Sequence, residues 1–209
     1  GSKVTEIIVD DTVTTIGNHL FYGHSALEKV TFGSGLTRIG DYAFANCTAF
    51  EAQDAEWNCP GTEFGSFAFA NCSIKKAGVP ATITKLGSGV FSGNPVEQIS
   101  YRATAAAAHT ADVVPFSGLA DSVDTTITIA DSVTSIPAFM FYKAAVEKIN
   151  IGTGVASIGE AAFSGSKTAE VAIPNGNAAY RVNADGNLYT ADNLTIVAYL
   201  GNHQDAAYT

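Results

Sequence analysis

Cysteine is the most reactive residue type in this sequence, and its use bears on redox chemistry. The chain has three cysteines, Cys47, Cys59 and Cys72. An odd number this small does not make a disulfide framework, so it leaves the redox compartment open. Cys47 and Cys72 occupy the same place in a repeated pentapeptide, which allows two interpretations. They form a disulfide between neighbouring repeats, or they are two packed thiols that behave as small apolar side chains.

Histidine is the residue type best suited to bind zinc or to act as a general base near neutral pH. The four histidines, His19, His24, His109 and His203, are scattered, and no His-x-His or His-x-x-x-His pair occurs. The Gly-x-Ser-x-Gly motif that carries a nucleophile in hydrolases is also missing from the sequence. We therefore expect no catalytic residue, no bound metal and no cofactor, and we do not interpret the chain as an enzyme.

A set of glycines has a superficial likeness to a dinucleotide-binding motif. Gly33, Gly35 and Gly40 have the spacing Gly-x-Gly-x-x-x-x-Gly, and a turn pattern follows them where a cofactor motif would begin a helix. The same spacing returns from Gly152 to Gly159. Because a cofactor loop is not needed twice in register, we interpret both sets as turns of a repeat.

Oxygen-bearing side chains cluster near the C-terminus, at Asn183, Asp185, Asn187 and Asp192. Their spacing differs from the Asp-x-Asp-x-Asp-Gly loop that binds calcium. Asp-Gly and Asp-Asn pairs are typical of β-hairpin turns. The pattern therefore favours hairpin turns over a calcium site.

Composition excludes several classes of partner. The chain has 20 acidic and 11 basic residues and a formal charge of −9, which repels a phosphate backbone, so we expect no nucleic-acid partner. No apolar run reaches the roughly 18 residues of a membrane-spanning helix, so we expect no membrane insertion of this segment. We also expect the chain to be a monomer. Gly1-Ser2 has the character of a cloning scar, and we expect any export signal to lie outside this sequence.

A sequence repeat positions all of these residues. Ala-Phe-Ala-Asn-Cys occurs at Ala43–Cys47 and again at Ala68–Cys72, and shortened copies read Phe-Ser-Gly. The phenylalanines that anchor these copies are separated by 23, 25, 22, 25, 25 and 22 residues, which lies within the roughly 20–29-residue period of leucine-rich repeats. These anchors are Phe21, Phe44, Phe69, Phe91, Phe116, Phe141 and Phe163.

Each repeat contains a short segment with alternating polarity. Val30 and Phe32 point to one side and Lys29 and Thr31 to the other, as a half-buried strand requires. Turn residues follow, then a second short extended piece, then the aromatic-bearing turn. Six strands are thus predicted to share one inward face. The other five inward pairs are Ile7 with Val9, Ile99 with Tyr101, Ile127 with Ile129, Ile149 with Ile151, and Val171 with Ile173.

A unit of this size cannot cover its own apolar side, so neighbouring units must stack. The sequence therefore predicts one domain over residues 1–209, a right-handed repeat solenoid of about seven to eight repeats of 22–25 residues. It is predicted to be mostly β with short helical or 3-10 turns. Residues 4–174 are the repeats, and residues 175–209 are predicted to form a β-hairpin or meander that caps the end.

Two stretches depart from the repeat, at residues 51–63 and 102–124. In the first, Trp57 and its neighbours replace the strand–turn phrase, and Phe64 takes the place of Ile39. In the second, Ala105–Ala108 is predicted to form a helical turn before the anchor returns. Irregular stretches are where a solenoid adds binding loops.

At this point the sequence resembles the BspA-like leucine-rich-repeat family. The family unit reads roughly Leu-x-x-Ile-x-Ile-Pro-x-x-Val-x-x-Ile-Gly-x-x-Ala-Phe-x-x-Cys, and Ile39–Cys47 matches its second half nearly in full. The strand-ending proline is kept only at Pro80 and Pro174. The resemblance implies a secreted or surface-anchored bacterial protein used for adhesion to host proteins or other cells. The family has no catalytic residues to carry over, and its ligand contacts are not a shared motif.

We therefore expect a non-catalytic protein-binding or adhesion module of a secreted or cell-surface bacterial protein. Its partner would be a host matrix protein, a host cell-surface protein or another bacterial surface protein. The alternative is a structural spacer within a larger surface protein, without a ligand of its own. The candidate contacts are the outward strand positions and one residue of the first irregular stretch: Lys29, Thr31, Lys76, Gln98, Ser100, Arg102, Thr126, Thr128, Lys148 and Asn150, together with Trp57.

Overall fold

The computed structural model describes residues 3–51, 60–121, 123–168, 170–184 and 186–198. Within these residues, all regular structure is short β-strand. The strands are β1 Glu6–Ile8, β2 Thr15–Ile16, β3 Lys29–Thr31, β4 Arg38–Ile39, β5 Glu63–Phe64, β6 Lys76–Val79, β7 Lys85–Leu86, β8 Gln98–Tyr101, β9 Thr126–Ile129, β10 Ser135–Ile136, β11 Lys148–Asn150, β12 Ser157–Ile158, β13 Glu170–Ala172, β14 Tyr180–Val182, β15 Leu188–Thr190 and β16 Ile196–Ala198.

The strands β1–β13 stack in parallel into a solenoid of about seven turns, as the repeat predicts. Equivalent strands of successive turns pair in the order β13-β11-β9-β8-β6, and β1 pairs with β3. The second extended pieces form a four-stranded sheet, β2-β4-β5-β7, and a pair, β10-β12. The register also confirms that Phe64 takes the place of Ile39, because these two residues are partners across β4 and β5.

The anchor phenylalanines form a continuous column inside the coil. Phe44 stacks on Phe21 at a centroid distance of 5.1 Å and on Phe69 at 5.4 Å. The column continues through Phe91, Phe116 and Phe141 to end on Phe163, and the longest step is 6.4 Å. Stacked pairs of this kind add about 0.5–1.5 kcal/mol each to what burial alone contributes. The column therefore ties neighbouring turns together.

Two left-handed backbone positions shape the turn around each anchor. The residue two places after the anchor has positive φ in all seven turns: Gly23, Asn46, Asn71, Gly93, Gly118, Lys143 and Gly165. This requirement explains the recurring Phe-Ser-Gly, because glycine and asparagine adopt this conformation at least cost. The residue two places before the anchor is also left-handed in six turns. The turns predicted as helical or 3-10 are thus tight hydrogen-bonded corners, and the described residues contain no helix.

The buried polar side chain three places after the anchor donates a hydrogen bond to the preceding turn. The Cys47 thiol donates to the carbonyl of Phe21 at 3.1 Å, and the Cys72 thiol donates to the carbonyl of Phe44 at 3.3 Å. Both cysteines are free thiols, which is the second of the two interpretations of the sequence. Asn94 occupies the same position one turn later and donates its amide to the Phe69 carbonyl at 2.7 Å.

Close approach of successive turns explains the recurring glycines. A Cβ at Gly35 would lie 2.1 Å from the carbonyl oxygen of Asp11, and one at Gly154 would lie 2.1 Å from that of Asp131. No side chain larger than hydrogen fits there without a shift of backbone. The interpretation of these glycines as turns of a repeat is therefore confirmed.

Two local predictions were wrong. Ala105–Ala108 forms no helical turn, because the amide of Ala107 donates to the carbonyl of Thr84 in the preceding turn at 2.8 Å. Stacking on a neighbour satisfies this segment better than its own helical propensity does. The number of inward-facing strands was the second, because the six predicted pairs left out that of β6, although Lys76 was placed at an outward strand position. Ala77 and Gly78 hide the alternation that marks the other six.

The C-terminal end is closed by an antiparallel meander, as predicted. β14 pairs with β15 and β15 with β16, and both pairings are antiparallel. Tyr180 and Leu188 of the meander belong to the same apolar core as the repeats. Asp192, one of the oxygen-bearing side chains predicted to serve hairpin turns, does so, since its carboxylate accepts from the Thr190 hydroxyl at 2.6 Å and from the Leu194 amide at 3.0 Å. Asp185 lies outside the described residues.

Candidate interaction surface

The five-stranded sheet carries polar side chains on its outer side, which we call the strand face. Alternation along each strand turns Ile99, Ile127 and Ile149 into the core, where they are buried. The intervening residues point outward, and because the strands are parallel and in register, they align in two straight rows. One row is Lys76, Gln98, Thr126, Lys148 and Glu170, and the other is Gly78, Ser100, Thr128, Asn150 and Ala172.

At one end of the strand face, the outward side chains contact side chains of the adjacent strands. The Lys148 ammonium lies 2.5 Å from the carboxylate of Glu170, its partner on β13. Asn150 donates to the Thr128 hydroxyl at 3.3 Å. At the other end Lys76 and Gln98 are exposed, and no side chain of the described residues pairs with either. These two side chains are therefore available to a partner without breaking an internal contact.

The structure brings together seven of the predicted contact residues, Thr126 and Thr128 among them, and separates the rest. The other five that share the strand face are Lys76, Gln98, Ser100, Lys148 and Asn150. Lys29 and Thr31 lie on β3, which pairs only with β1 among the described strands.

Lys29 is moreover engaged with Glu6, at 2.7 Å. Arg102 follows the end of β8 and is half-buried, and its amide donates to the Val79 carbonyl at 2.9 Å. Trp57 lies outside the described residues.

A second sheet, β2-β4-β5-β7, carries a row of charges that the sequence reasoning did not single out. Its register aligns Arg38, Glu63 and Lys85, and Arg38 lies 3.7 Å from the carboxylate of Glu63. A shallow cavity of about 190 Å³ adjoins this row and is also lined by Asp41 and Ser66. The sequence could have indicated this row, because each of its charged residues stands just before the inward Ile, Phe or Leu of the second extended piece.

Aromatic rings also line up outside the core, at the left-handed position before the anchor. His19 stacks on Tyr42 at 5.0 Å, and Tyr42 stacks on Phe67 at 5.1 Å. Bulky residues rarely adopt positive φ, so this row is a strained feature that stacking helps to offset. The row ends at Gly89, where a Cβ would lie 2.6 Å from the Phe67 ring.

The ionisable groups whose pKa is perturbed by burial lie away from the strand face. Burial raises the pKa of the Cys47 thiol to about 11 and that of Cys72 to about 12. Burial likewise raises the pKa of Tyr101 and lowers that of His109. The buried Nε2 of His109 has no hydrogen-bond partner among the described residues. No group of three or more His, Cys, Asp or Glu side chains that could hold a metal ion occurs in the described part of the chain.

The sequence matches the profile of the BspA type leucine rich repeat region in six copies, over residues 1–97 and 120–200. The match covers most of the chain. The chain belongs to this leucine-rich-repeat family. The gap in the match, residues 98–119, overlaps the irregular stretch predicted at 102–124. None of the curated proteins matches the chain. In the described residues of this BspA-type chain, no helix is long and apolar enough to cross a membrane.

Three solved structures are similar to this BspA-type chain. A leucine rich cell surface protein from Faecalibacterium prausnitzii is 21% identical with a TM-score of 0.51, over 90% of this chain and 54% of that one. A leucine-rich repeat protein from Bacteroides ovatus is 22% identical with a TM-score of 0.48, over 83% of this chain and 44% of that one. The pneumococcal vaccine antigen PcpA is 19% identical with a TM-score of 0.40, over 82% and 51%. The chain spans about half the length of these proteins.

Proposed function

We propose that the chain is a non-catalytic protein-binding module of a bacterial surface protein, and that the strand face is its contact surface. The observation that carries the proposal is the alignment of outward polar side chains in two rows on a sheet that no other described segment covers. Successive side chains within a row are about 4.8 Å apart, the distance between neighbouring strands, so the rows present a flat array of hydrogen-bonding groups that suits a protein surface or an extended chain.

Its place at the cell surface is part of the same proposal. It rests on the family and on the likeness to a protein described as a leucine rich cell surface protein. The expected partner is a host matrix protein, a host cell-surface protein or another bacterial surface protein. Interface energy is concentrated in few residues, and Lys76, Gln98 and Ser100 are the strongest candidates because their side chains lie at the unoccupied end of the face.

Binding to immobilised extracellular-matrix proteins and to intact cells tests the proposal, with biolayer interferometry as the readout. The chain offers a matched pair of variants. Lys76 and Lys85 are both exposed lysines on strands, but Lys76 lies on the strand face and Lys85 on the second sheet. Lys76→Glu should weaken binding at least about ten-fold, whereas Lys85→Glu, with the same change of charge, should not.

Equal loss in both variants would show that net charge and not the strand face drives binding. Absence of any saturable binding would favour the alternative, a spacer within a larger surface protein. That alternative is supported by one observation, namely that the chain spans only about half the length of the structures it resembles. A longer chain that binds while this segment does not would establish the spacer.

A further inference from the structure

Exposed large apolar side chains are concentrated in the first turn of the solenoid. Among the described residues, four of the six lie there, and the other two, Leu194 and Ile196, lie in the cap. Scattered exposed apolar residues are ordinary, but a cluster at one end of a repeat array is not, because terminal repeats need a polar outer side. The four are Ile8 at 75% exposure, Leu20 at 56%, Tyr22 at 50% and Val4 at 44%.

The backbone of the same turn has an open edge. Within the array, alternate N–H groups of one corner donate to carbonyls of the next turn, as Phe21 does to Ala43 at 2.8 Å. In the second turn, the Gly40 N–H donates to the Ile16 carbonyl of the preceding turn at 2.9 Å. Gly17 is the counterpart of Gly40 in the first turn, and its N–H finds no acceptor among the described residues. Three carbonyls of the first corner, those of Asn18, Leu20 and Tyr22, accept no hydrogen bond from the described residues either.

A polar ladder that runs along the turns also ends open at this place. The Asn18 side-chain oxygen accepts from the Asp41 amide at 3.0 Å, and the Asp41 carboxylate accepts from the Ser66 amide at 2.8 Å. The amide of Asn18 itself has no acceptor among the described residues. The ladder therefore lacks one acceptor side chain on its N-terminal side.

Three further ladders end at the same turn. Phe21 stacks on Phe44 on one side only and is half-buried, whereas Phe44 is fully buried between two rings. His19 likewise stacks only on Tyr42 within the left-handed aromatic row. In the ladder of side chains that donate to the carbonyl of the preceding anchor, the first-turn counterpart of Cys47 is His24.

The open ladders together specify what covers this end. The occupant must present an acceptor side chain beside Asn18, a ring above Phe21 and a backbone carbonyl within reach of His24. A turn of the same repeat in parallel register presents all three. A second copy of this chain does not, because its complementary C-terminal end is closed by the antiparallel meander β14–β16.

We propose that the N-terminal end of the first turn is a docking surface for one further turn of the same repeat, supplied by polypeptide that precedes residue 3 in the natural protein. The inference goes beyond the proposed function and does not rest on it. Its basis is the repeat interface itself, which the chain builds again and again within its own array.

The experiment extends the chain with its own repeat. A copy of residues 27–49 is joined directly to Val4 in place of residues 1–3, so that the copied Asp41 lies beside Asn18 and the copied Phe44 above Phe21. Hydrogen exchange of the Gly17 and Asn18 amides should slow by roughly ten-fold or more, because both gain acceptors. The Tm should rise by several degrees.

The control carries the same extension with the copied Ile39 and Phe44 both changed to aspartate, so that it cannot pack. Exchange at Gly17 and Asn18 should then match that of the unextended chain. Equal exchange rates in the extended chain and its control would overturn the proposal. So would sedimentation of the unextended chain as a dimer that Ile8→Lys dissociates, because a second copy would then cover this end.

Discussion

At the scale of single residues, the same hydrogen bond recurs in successive turns although different side chains make it. Cys47, Cys72 and Asn94 occupy one position in successive turns, and each donates to the carbonyl of the preceding anchor phenylalanine. A buried carbonyl without a donor costs about 1–3 kcal/mol, which explains why a polar donor is retained at this place. The cysteines are therefore structural donors in a ladder.

The buried thiols should be unreactive in the folded chain. Burial raises the pKa of both Cys47 and Cys72 well above neutrality, and only the thiolate reacts with disulfide reagents. In a Cys59→Ser background, which removes a cysteine outside the described residues, we expect no thiol titration near pH 8 and two thiols after unfolding in guanidinium. Rapid reaction of either thiol in the native chain would contradict the buried placement.

His109 should make stability depend on pH. Burial lowers its pKa, so the unfolded chain, with an ordinary pKa of about 6.5, binds the proton more readily than the folded chain. The stabilising difference is present in full above that pH and is lost as the pH falls towards the lower folded-state value. Urea unfolding should give a larger drop in the free energy of unfolding from about pH 7 to pH 5 than His109→Gln shows. Parallel pH profiles would refute this.

At the scale of the repeat element, each turn is built on an inward ring and on backbone contacts that leave no room for side chains. The ring column and the close glycines act on the same interface, since both set the distance between successive turns. Destabilisation should therefore depend on where in the stack a residue lies and not only on its type.

Replacement of an anchor ring should cost more inside the array than at its end. Phe44→Ala removes a fully buried ring stacked on both sides and should lower the free energy of unfolding by about 3–5 kcal/mol. Phe21→Ala serves as the control and should cost clearly less, because Phe21 is half-buried and stacks on one side. Chemical denaturation measures both, and a loss below about 1 kcal/mol for Phe44→Ala would contradict its place in the column.

Two of the glycines in the N-terminal turns, Gly35 and Gly17, allow a similar contrast. Gly35→Ala places a methyl group 2.1 Å from the Asp11 carbonyl oxygen and should destabilise by about 1–3 kcal/mol. Gly17→Ala meets nothing within 4 Å and should be neutral or stabilise by up to about 1 kcal/mol. Thermal unfolding of the two variants distinguishes them, and equal effects would show that the turns are not packed this closely.

At the scale of the whole molecule, the array is closed at one end and open at the other. The meander β14–β16 covers the last turn, and Asn177 joins it to the repeats. The Asn177 amide donates to the carbonyls of Gly152 and Val155 at 3.0 Å each, and its oxygen accepts from two amides of the meander. A single buried side chain thus satisfies groups on both sides of the junction.

Removal of that side chain should loosen the cap before the array. Asn177→Ala removes four hydrogen bonds across the junction and should destabilise by about 2–4 kcal/mol. Faster hydrogen exchange should appear in β14–β16 while β8 and β9 remain protected. The exposed neighbour Asn175, changed to Ala, is the matched control and should have little effect. Uniform acceleration of exchange across all strands would show instead that cap and repeats unfold as one unit.

The sequence alone determined the family, the repeat and the inward face, because anchors spaced 22–25 residues apart identify equivalent positions without any coordinates. It also located the strand face, since alternation along a strand separates Lys148 and Asn150 from Ile149. It placed Lys76 at an outward strand position but did not identify the inward pair of β6, because Ala77 and Gly78 carry too little apolar contrast.

Only the tertiary structure decided which outward residues are free and which are engaged. The Lys148–Glu170 pair, the row of His19, Tyr42 and Phe67, and the open end at Ile8 all depend on what lies one turn away. Spacing in sequence states which positions are equivalent, but the direction of a ring depends on its backbone φ, and exposure depends on whether a neighbouring turn is present. Those quantities arise from stacking, which is a contact between distant parts of the chain.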